Sequence, residues 1–313
     1  MKNKPKIEFY GISRFYRRHS EEILSIINRV YDSGQVLMGP EIGELETNIS
    51  RLCQRKYAVA VNSCTDALYF ALRAAGIGNN DEVLVTGFSY LASATPILRA
   101  GAIPVFIDID ADYFTMDLSD LESKITANTK AIMAVHLFGQ MLKIDQVENL
   151  AKKHGLILIE DAAQSLGSKM NNRPAGSFGT CSCISFDPTK IVGAFGNGGV
   201  LLTDDEKICR QVRKLRFHGK NTETGSFEDL GYNSRMATSQ AALVNLQLQW
   251  LEGWINRRNE IAAIYEHNLS SIEEVTTPKT REQNNHTFHK YVIKTGDRDN
   301  LIKQLADNGI QTM

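Results

Sequence analysis

Between Tyr57 and Ile159 short β-branched runs alternate with amphipathic segments, and no other feature of the chain limits its fold as tightly. Tyr57-Ala58-Val59-Ala60-Val61 reads as a strand, and Thr65 to Ala75 as the helix after it. Glu82 to Thr86 is a second strand and Tyr90 to Ala100 a helix. Pro104 to Ile109 and Lys130 to His136 are further strands, and Ile144 to His154 is a helix with Ile144, Val147 and Leu150 on one face. Leu156-Ile157-Leu158-Ile159 has no polar side, as a strand buried on both faces requires. Such alternation demands a mostly parallel sheet covered by helices. In sheets of this kind ligands gather at the carboxyl ends of the strands.

Beyond Gly199 the pattern changes. Val200 to Thr203 is a strand, and Asp204 and Asp205 open a helix that runs to about Arg216. Ala237 to about Leu269 contains no Pro and reads as one long helix with a bend expected near Gly253. Phe288 to Lys294 alternates like a strand, and Arg298 to Asn308 is a helix capped by Gly309. The chain ends at Met313, where another strand would be starting. A large domain over 1–235 is therefore expected, followed by a small α+β domain over 236–313 that is incomplete.

Composition narrows the class. Lys+Arg 35 against Asp+Glu 36 leaves no basic excess for a nucleic-acid partner. No apolar run approaches the roughly 18 residues of a membrane-spanning helix. Met1 to Tyr10 is basic without an apolar core behind it, so no secretory signal is expected. The five cysteines are scattered, and Cys181 and Cys183 lack a second pair at metal-ligand spacing. Reduced structural thiols in a cytoplasmic enzyme are the expectation, with no metal site.

Four segments lie where the ligand edge should be. Asn62-Ser63-Cys64-Thr65-Asp66 joins a strand to a helix, and the free amides of a helix start suit a phosphate; Ser, Thr and Asp are also ordinary N-caps. Glu160-Asp161-Ala162-Ala163-Gln164 puts a carboxylate directly after the most apolar strand, where a helix cap is the competing reading. Ser185-Phe186-Asp187-Pro188-Thr189-Lys190 brings a lysine to the mouth of the sheet, where desolvation makes an amine nucleophilic; most lysines are simply solvated. Gly193 to Gly199 looks like a dinucleotide fingerprint but precedes a strand instead of following one, so that reading is rejected. Taken together, a phosphate cradle, a strand-end carboxylate and a poised lysine are what pyridoxal 5'-phosphate (PLP) requires. Tyr90, after the next strand end, supplies an aromatic ring to stack on the pyridine.

These residues resemble those of the PLP-dependent nucleotide-sugar aminotransferases of the DegT/StrS group, which have the aspartate-aminotransferase-like (type I) fold. The likeness runs from about Gly34 to the chain end. It passes through Gly39-Pro40-Glu41, Thr65-Asp66-Ala67-Leu68, Val135-His136-Leu137-Phe138-Gly139-Gln140, Glu160-Asp161-Ala162-Ala163-Gln164, Ser185-Phe186 with Lys190, and Gly231-Tyr232-Asn233-Ser234-Arg235-Met236. The resemblance implies that Lys190 is the Schiff-base lysine, Asp161 pairs with the ring nitrogen and Gln164 lies near the phenolic oxygen. It implies that Ser185 and the helix start at Cys64 and Thr65 hold the phosphate, and that Tyr90 stacks on the ring. Asn233 then reaches the phosphate of the neighbouring subunit, which implies a homodimer with shared active sites. Cys64 stands where the family usually has Gly, and Ser93 replaces a common Thr.

The resemblance implies transfer of an amino group, from L-glutamate, to a keto group of a nucleotide-linked deoxysugar used in surface-polysaccharide or secondary-metabolite synthesis. A PLP-dependent dehydratase of the same family resembles members with histidine in place of the lysine, whereas Lys190 is present here. The remaining alternative is a non-catalytic or regulatory protein that keeps the fold.

Overall fold

The computed structural model describes residues 7–313, so Met1 to Lys6 of the basic N-terminal stretch lie outside the described residues. Helices α1 (Ile12–Arg18), α2 (Ser20–Asp32) and α3 (Pro40–Leu52) come first. Then follow β1 (Tyr57–Val61), α4 (Cys64–Ala74), β2 (Glu82–Thr86), α5 (Thr95–Arg99), β3 (Ile103–Ile107), α6 (Leu118–Ser123), β4 (Thr129–Val135), α7 (Ile144–His154) and β5 (Ile157–Asp161). The short pair β6 (Lys169–Met170) and β7 (Arg173–Pro174) precedes β8 (Cys181–Ser185) and β9 (Gly199–Thr203). The remainder comprises α8 (Glu206–Leu215), α9 (Thr238–Leu248), α10 (Leu251–Leu269), β10 (Val275–Thr276), β11 (Asn284–Asn285), β12 (Lys294–Thr295) and α11 (Arg298–Asp307).

Seven strands form the central sheet in the order β1-β9-β8-β5-β4-β2-β3. Only β9 runs against the others: it pairs antiparallel with both β1 and β8, and every other pairing is parallel. The alternating side chains of a buried strand feed two separate cores. Leu158 joins Leu45, Ile49, Ile132 and Val200 on one face, whereas Ile159 joins Phe70, Met133 and Leu201 on the other. The continuous apolar run at 156–159 has this cause: β5 is the central strand of the seven, with three strands on either side and a buried core on each face. Ala241 and Val244 of α9 and Ile255 of α10 belong to the same cluster as Ile42 and Leu45 of α3. Among the described residues no helix is long and apolar enough to cross a membrane.

Three segments depart from the sequence reading. Residues 90–100 form a short 3-10 turn, Leu91–Ser93, and then α5, because Pro96 has no N–H to continue a helix and sits in the first turn of a new one. The long helix is broken at Gln249 and Trp250 and not at Gly253, which lies inside α10 in open space. Trp250 adopts φ −102° and its indole packs against Trp254 and His19, with ring centroids 5.7 and 4.4 Å away. Residues 288–293 are not a strand, and only Lys294 enters one, the short β12. Phe288 has φ 43°, and its carbonyl accepts from the Arg258 guanidinium, so the backbone is tied to a side chain where a strand partner would be.

Candidate active site

The register of the sheet assembles the site. At its carboxyl edge Gly199 of β9 lies between Val61 of β1 and Ser185 of β8, and Asp161 of β5 lies between Val135 of β4 and Cys183 of β8. The loops that leave Val61, Thr86, Val135, Asp161 and Ser185 all emerge at this edge. They carry Cys64 and Thr65, Tyr90, His136, Gln164 and Lys190 respectively.

Asp161 is 4% exposed. Its Oδ2 accepts from the Ser93 hydroxyl at 2.7 Å and its Oδ1 from the Ala163 amide at 3.1 Å. Burial raises the carboxyl pKa, against the opposing influence of those two donors and of the Lys190 charge. A buried carboxylate without an ion-pair partner has room for a cation, and a protonated ring nitrogen is one.

Lys190 and Ser185 line one cavity together with Gln164, Leu166, Val192 and His289. Gln164 spends its carbonyl oxygen on the Phe138 amide at 2.9 Å, which leaves its NH2 group as the free end. Ser185 Oγ accepts from the Asp187 amide at 3.2 Å and keeps its hydroxyl proton available.

At α4 the two readings of the helix start coexist. Ser63 Oγ accepts from the Asp66 amide at 3.1 Å, an ordinary N-cap, while the Cys64 and Thr65 amides take no acceptor among the described residues. The start of α4 can approach the sheet edge only because residue 199 is glycine: a Cβ there would stand 2.5 Å from the Cys64 nitrogen. Cys64 itself is buried, and burial, with Asp161 adding to it, pushes its thiol well above the usual range.

Tyr90 is 75% exposed and lies at the head of the 3-10 turn that delivers Ser93 to Asp161. Asn233 is also exposed, its Oδ1 accepting only a long bond from Arg235 at 3.5 Å. It does not cap α9, whose N-cap is Ala237. The structure thus brings Lys190, Asp161, Gln164, Ser185, Cys64 and Thr65 to one edge and leaves Asn233 facing outward.

Four further residues shape the site, and the sequence reading gave none of them a role in it. Ser93 holds Asp161. His136 and Glu160, both fully buried, form a pair behind it: His136 Nε2 donates to Glu160 Oε1 at 2.8 Å, and His136 Nδ1 accepts from the Leu142 amide. Glu160 also accepts from the Gly176 and Phe178 amides, which pins the loop between β7 and β8. His289 comes from far along the chain. The adjacency of Glu160 to Asp161 was a usable signal, since alternation on a strand sends one carboxylate to each face.

The chain is similar to known proteins over nearly its whole length. The profile of the DegT/DnrJ/EryC1/StrS aminotransferase family matches residues 17–313. A protein of Geobacillus stearothermophilus named pleiotropic regulatory protein is 38% identical over 309 residues, covering 98% of this chain and 83% of the relative. The dTDP-3-amino-3,4,6-trideoxy-alpha-D-glucose transaminase of Streptomyces venezuelae is 36% identical over 309 residues, 99% of this chain and 81% of its own. The solved structure of DesV from S. venezuelae superposes with a TM-score of 0.95 at 36% identity, over 98% of this chain and 82% of that one. NtdA of Bacillus subtilis, solved with bound cofactor PMP, gives 0.90 at 28% identity, over 99% and 73%.

Proposed function

The chain belongs to the DegT/DnrJ/EryC1/StrS aminotransferase family, whose members depend on PLP, and from that premise we propose that it moves an amino group from L-glutamate to a keto group of a nucleotide-linked deoxysugar. One observation carries the reading: a buried carboxylate without an ion pair and a lysine come to one sheet edge, beside a helix start with two free amides. The S. venezuelae relative named as a dTDP-sugar transaminase supports the substrate class.

Lys190 Nζ would tether PLP and, when its amine is free, would hold and move the proton at the substrate carbon. Asp161 holds a proton on the ring nitrogen; Ser93 and the Ala163 amide keep the carboxylate aimed. When bound, PLP would supply an electron sink. The NH2 of Gln164 donates to the phenolic oxygen. The amides of Cys64 and Thr65 with the Ser185 hydroxyl hold the phosphate, which the start of α4 favours electrostatically. The apolar side chains of Leu166 and Val192 line the cavity beside Lys190. Asn233, exposed on its own subunit, reaches the phosphate in the partner of a homodimer.

The name of the G. stearothermophilus relative favours one further reading, a regulatory role. A protein that only regulates has no need for Lys190, Asp161, Gln164 and Ser185 together. A screen of keto-sugar nucleotides with L-glutamate, followed by mass spectrometry, tests the proposal. At least one should gain the mass change of a keto-to-amino conversion; a PLP-loaded protein that converts none would contradict it.

A further inference from the structure

Beside the cavity of Lys190 lies a second one, lined by Tyr113, Phe114, Phe138, Gln140, His286 and Lys290. Phe138 joins the two: its amide donates to Gln164 Oε1 at 2.9 Å, and Gln164 lines the first cavity. The segment 286–290 is the other shared wall, with His289 on the first side and His286 and Lys290 on the second. The Thr287 amide donates to the Gly139 carbonyl at 3.1 Å, and the Lys290 amide to the Phe138 carbonyl at 3.3 Å. Gly139 has φ 98°, and a Cβ on it would meet Thr287 Oγ1 at 2.5 Å and the His289 nitrogen at 2.9 Å. The approach of this segment therefore depends on a glycine across from it.

Three phenylalanines around the second cavity have left-handed backbone, where a bulky side chain is an outlier: Phe114 at φ 56°, Phe138 at 59° and Phe288 at 43°. The Phe114 and Phe138 rings meet edge to face with centroids 6.2 Å apart, and Phe88 stands 6.1 Å from each. Phe288 stacks on His286 at 4.0 Å. Strained backbone that the surroundings hold in place gathers at ligand sites. At Phe114 and Phe138 the strain sets two aromatic side chains into the wall of one cavity.

Among the described residues Lys290 is the one charged group on that wall, and its amine forms neither a hydrogen bond nor an ion pair. It lies over the Phe9 and Tyr10 rings, 4.2 and 4.7 Å from their centroids, and rings hold an ammonium in place without neutralising it. Burial, with the charges of Arg258 and Lys190, lowers its pKa to about 8, against the opposing charge of Asp187. The other polar groups of the wall are engaged. Gln140 Oε1 accepts from the Arg281 amide at 2.9 Å, and its Nε2 donates to the Lys279 carbonyl at 3.0 Å. His286 Nδ1 accepts from the Phe288 amide at 2.9 Å, and burial keeps that imidazole neutral, with its pKa lowered to about 4. A half-buried ammonium without a counter-charge is completed by an anion that a ligand brings.

We infer that Lys290 is a substrate-binding residue: in a ring-walled subsite next to Lys190, its ammonium receives an oxyanion of the substrate, the phosphate of the nucleotide or the carboxylate of the amino donor. The phosphate is the better match, because a nucleotide also brings a flat base to the rings of Tyr113, Phe114 and Phe138. The inference rests on the reading of Lys190 as the reacting amine and deepens the nucleotide-sugar reading.

The test is calorimetric titration of the PLP-loaded protein with two probes that cannot react, thymidine diphosphate for the phosphate and glutarate for the carboxylate. Lys290→Gln should weaken thymidine diphosphate by about tenfold or more at pH 7 and leave glutarate within about threefold of wild type. Lys290→Arg should keep both affinities near wild type. Between pH 7 and 9 the wild-type affinity for thymidine diphosphate should fall about tenfold as the ammonium loses its proton, and stay level in Lys290→Arg. Lys190, Arg258, Asp187, Tyr10, His286 and His289 surround position 290 in both proteins, so the difference between the two profiles belongs to Lys290. A loss for glutarate instead would assign the subsite to the donor carboxylate, and a loss for both probes to the two substrates in turn. No binding of either probe by wild type, changes below threefold for both in Lys290→Gln, or the same fall with pH in Lys290→Arg overturns the proposal. Binding as described in a protein that converts no nucleotide sugar would support the subsite and contradict the transfer reading.

Discussion

Asp161 ends β5 and Lys190 lies in the loop that follows the neighbouring strand β8, and among the described residues the two side chains form no ion pair. Their separation of roles is testable residue by residue. Lys190→Ala should abolish both the visible absorbance of bound cofactor and turnover, with the circular-dichroism spectrum unchanged, because the amine is both tether and proton carrier. Turnover near the wild-type rate would remove Lys190 from that role. Asp161→Asn keeps the shape and the Ser93 contact but cannot hold the ring proton, so PLP should remain while kcat falls by orders of magnitude. Activity within a few-fold of wild type would mean that another acid pairs with the ring. Both residues were legible in the sequence because a strand end fixes where its next side chain emerges. Ser93 and His289 were not: Ser93 reaches Asp161 from another strand's loop across 68 positions, and His289 sits in a segment whose alternation imitates a strand.

At the scale of elements, α4 and the 286–290 segment each depend on a close backbone approach. Gly199→Ala would place a Cβ 2.5 Å from both the Cys64 nitrogen and the Ser63 carbonyl carbon, so the start of α4 must shift. Overpacking of this kind costs about 1–3 kcal/mol. The expected result is a lower melting temperature together with weaker PLP binding in equilibrium titration; unchanged PLP affinity would separate α4 from the phosphate. His286 gives a pH signature. Burial lowers its pKa to about 4 from an unfolded value near 6.5, so the unfolded chain binds the proton first. Its contribution to stability is complete above pH of about 6.5 and is lost as pH falls towards 4, on the order of 3 kcal/mol at most. The melting temperature should therefore fall more steeply between those limits in wild type than in His286→Gln; equal slopes would count against it. The elements whose periodicity came from burial on the sheet, β1, β2, β5 and α7, were readable from sequence almost to the residue. The segments at 90–100, 249–250 and 288–294 were not, because Pro96, the packing of Trp250 and the Arg258 contact override local pattern.

For the molecule as a whole, exposed apolar side chains at the mouth of the site call for a cover. Tyr90 is 75% and Leu91 70% exposed, and Phe88 beside them is 47% exposed. If the chain pairs as the homodimer proposed above, two-fold symmetry would bring Asn233 to the opposite phosphate. Asn233→Ala should then weaken PLP binding while leaving the melting temperature of the apo-protein nearly unchanged, since Asn233 caps no helix. Heterodimers of Asn233→Ala with Lys190→Ala subunits should regain partial activity, because one site would carry both defects and the other neither. No recovery in a verified heterodimer would refute sharing. The parallel sheet and its ligand edge were legible from the alternation alone, whereas the break between α9 and α10 and their packing on α3 came from contacts remote in sequence. The central claim, that Lys190 serves a transfer of nitrogen from glutamate to a sugar, is tested most directly with L-glutamate labelled with nitrogen-15 and a nucleotide-linked keto-sugar. Mass spectrometry should find the label in the amino-sugar product at one atom per molecule with wild type and none with Lys190→Ala. Label absent from every sugar product of the PLP-loaded wild type, or equally present with Lys190→Ala, would contradict the account.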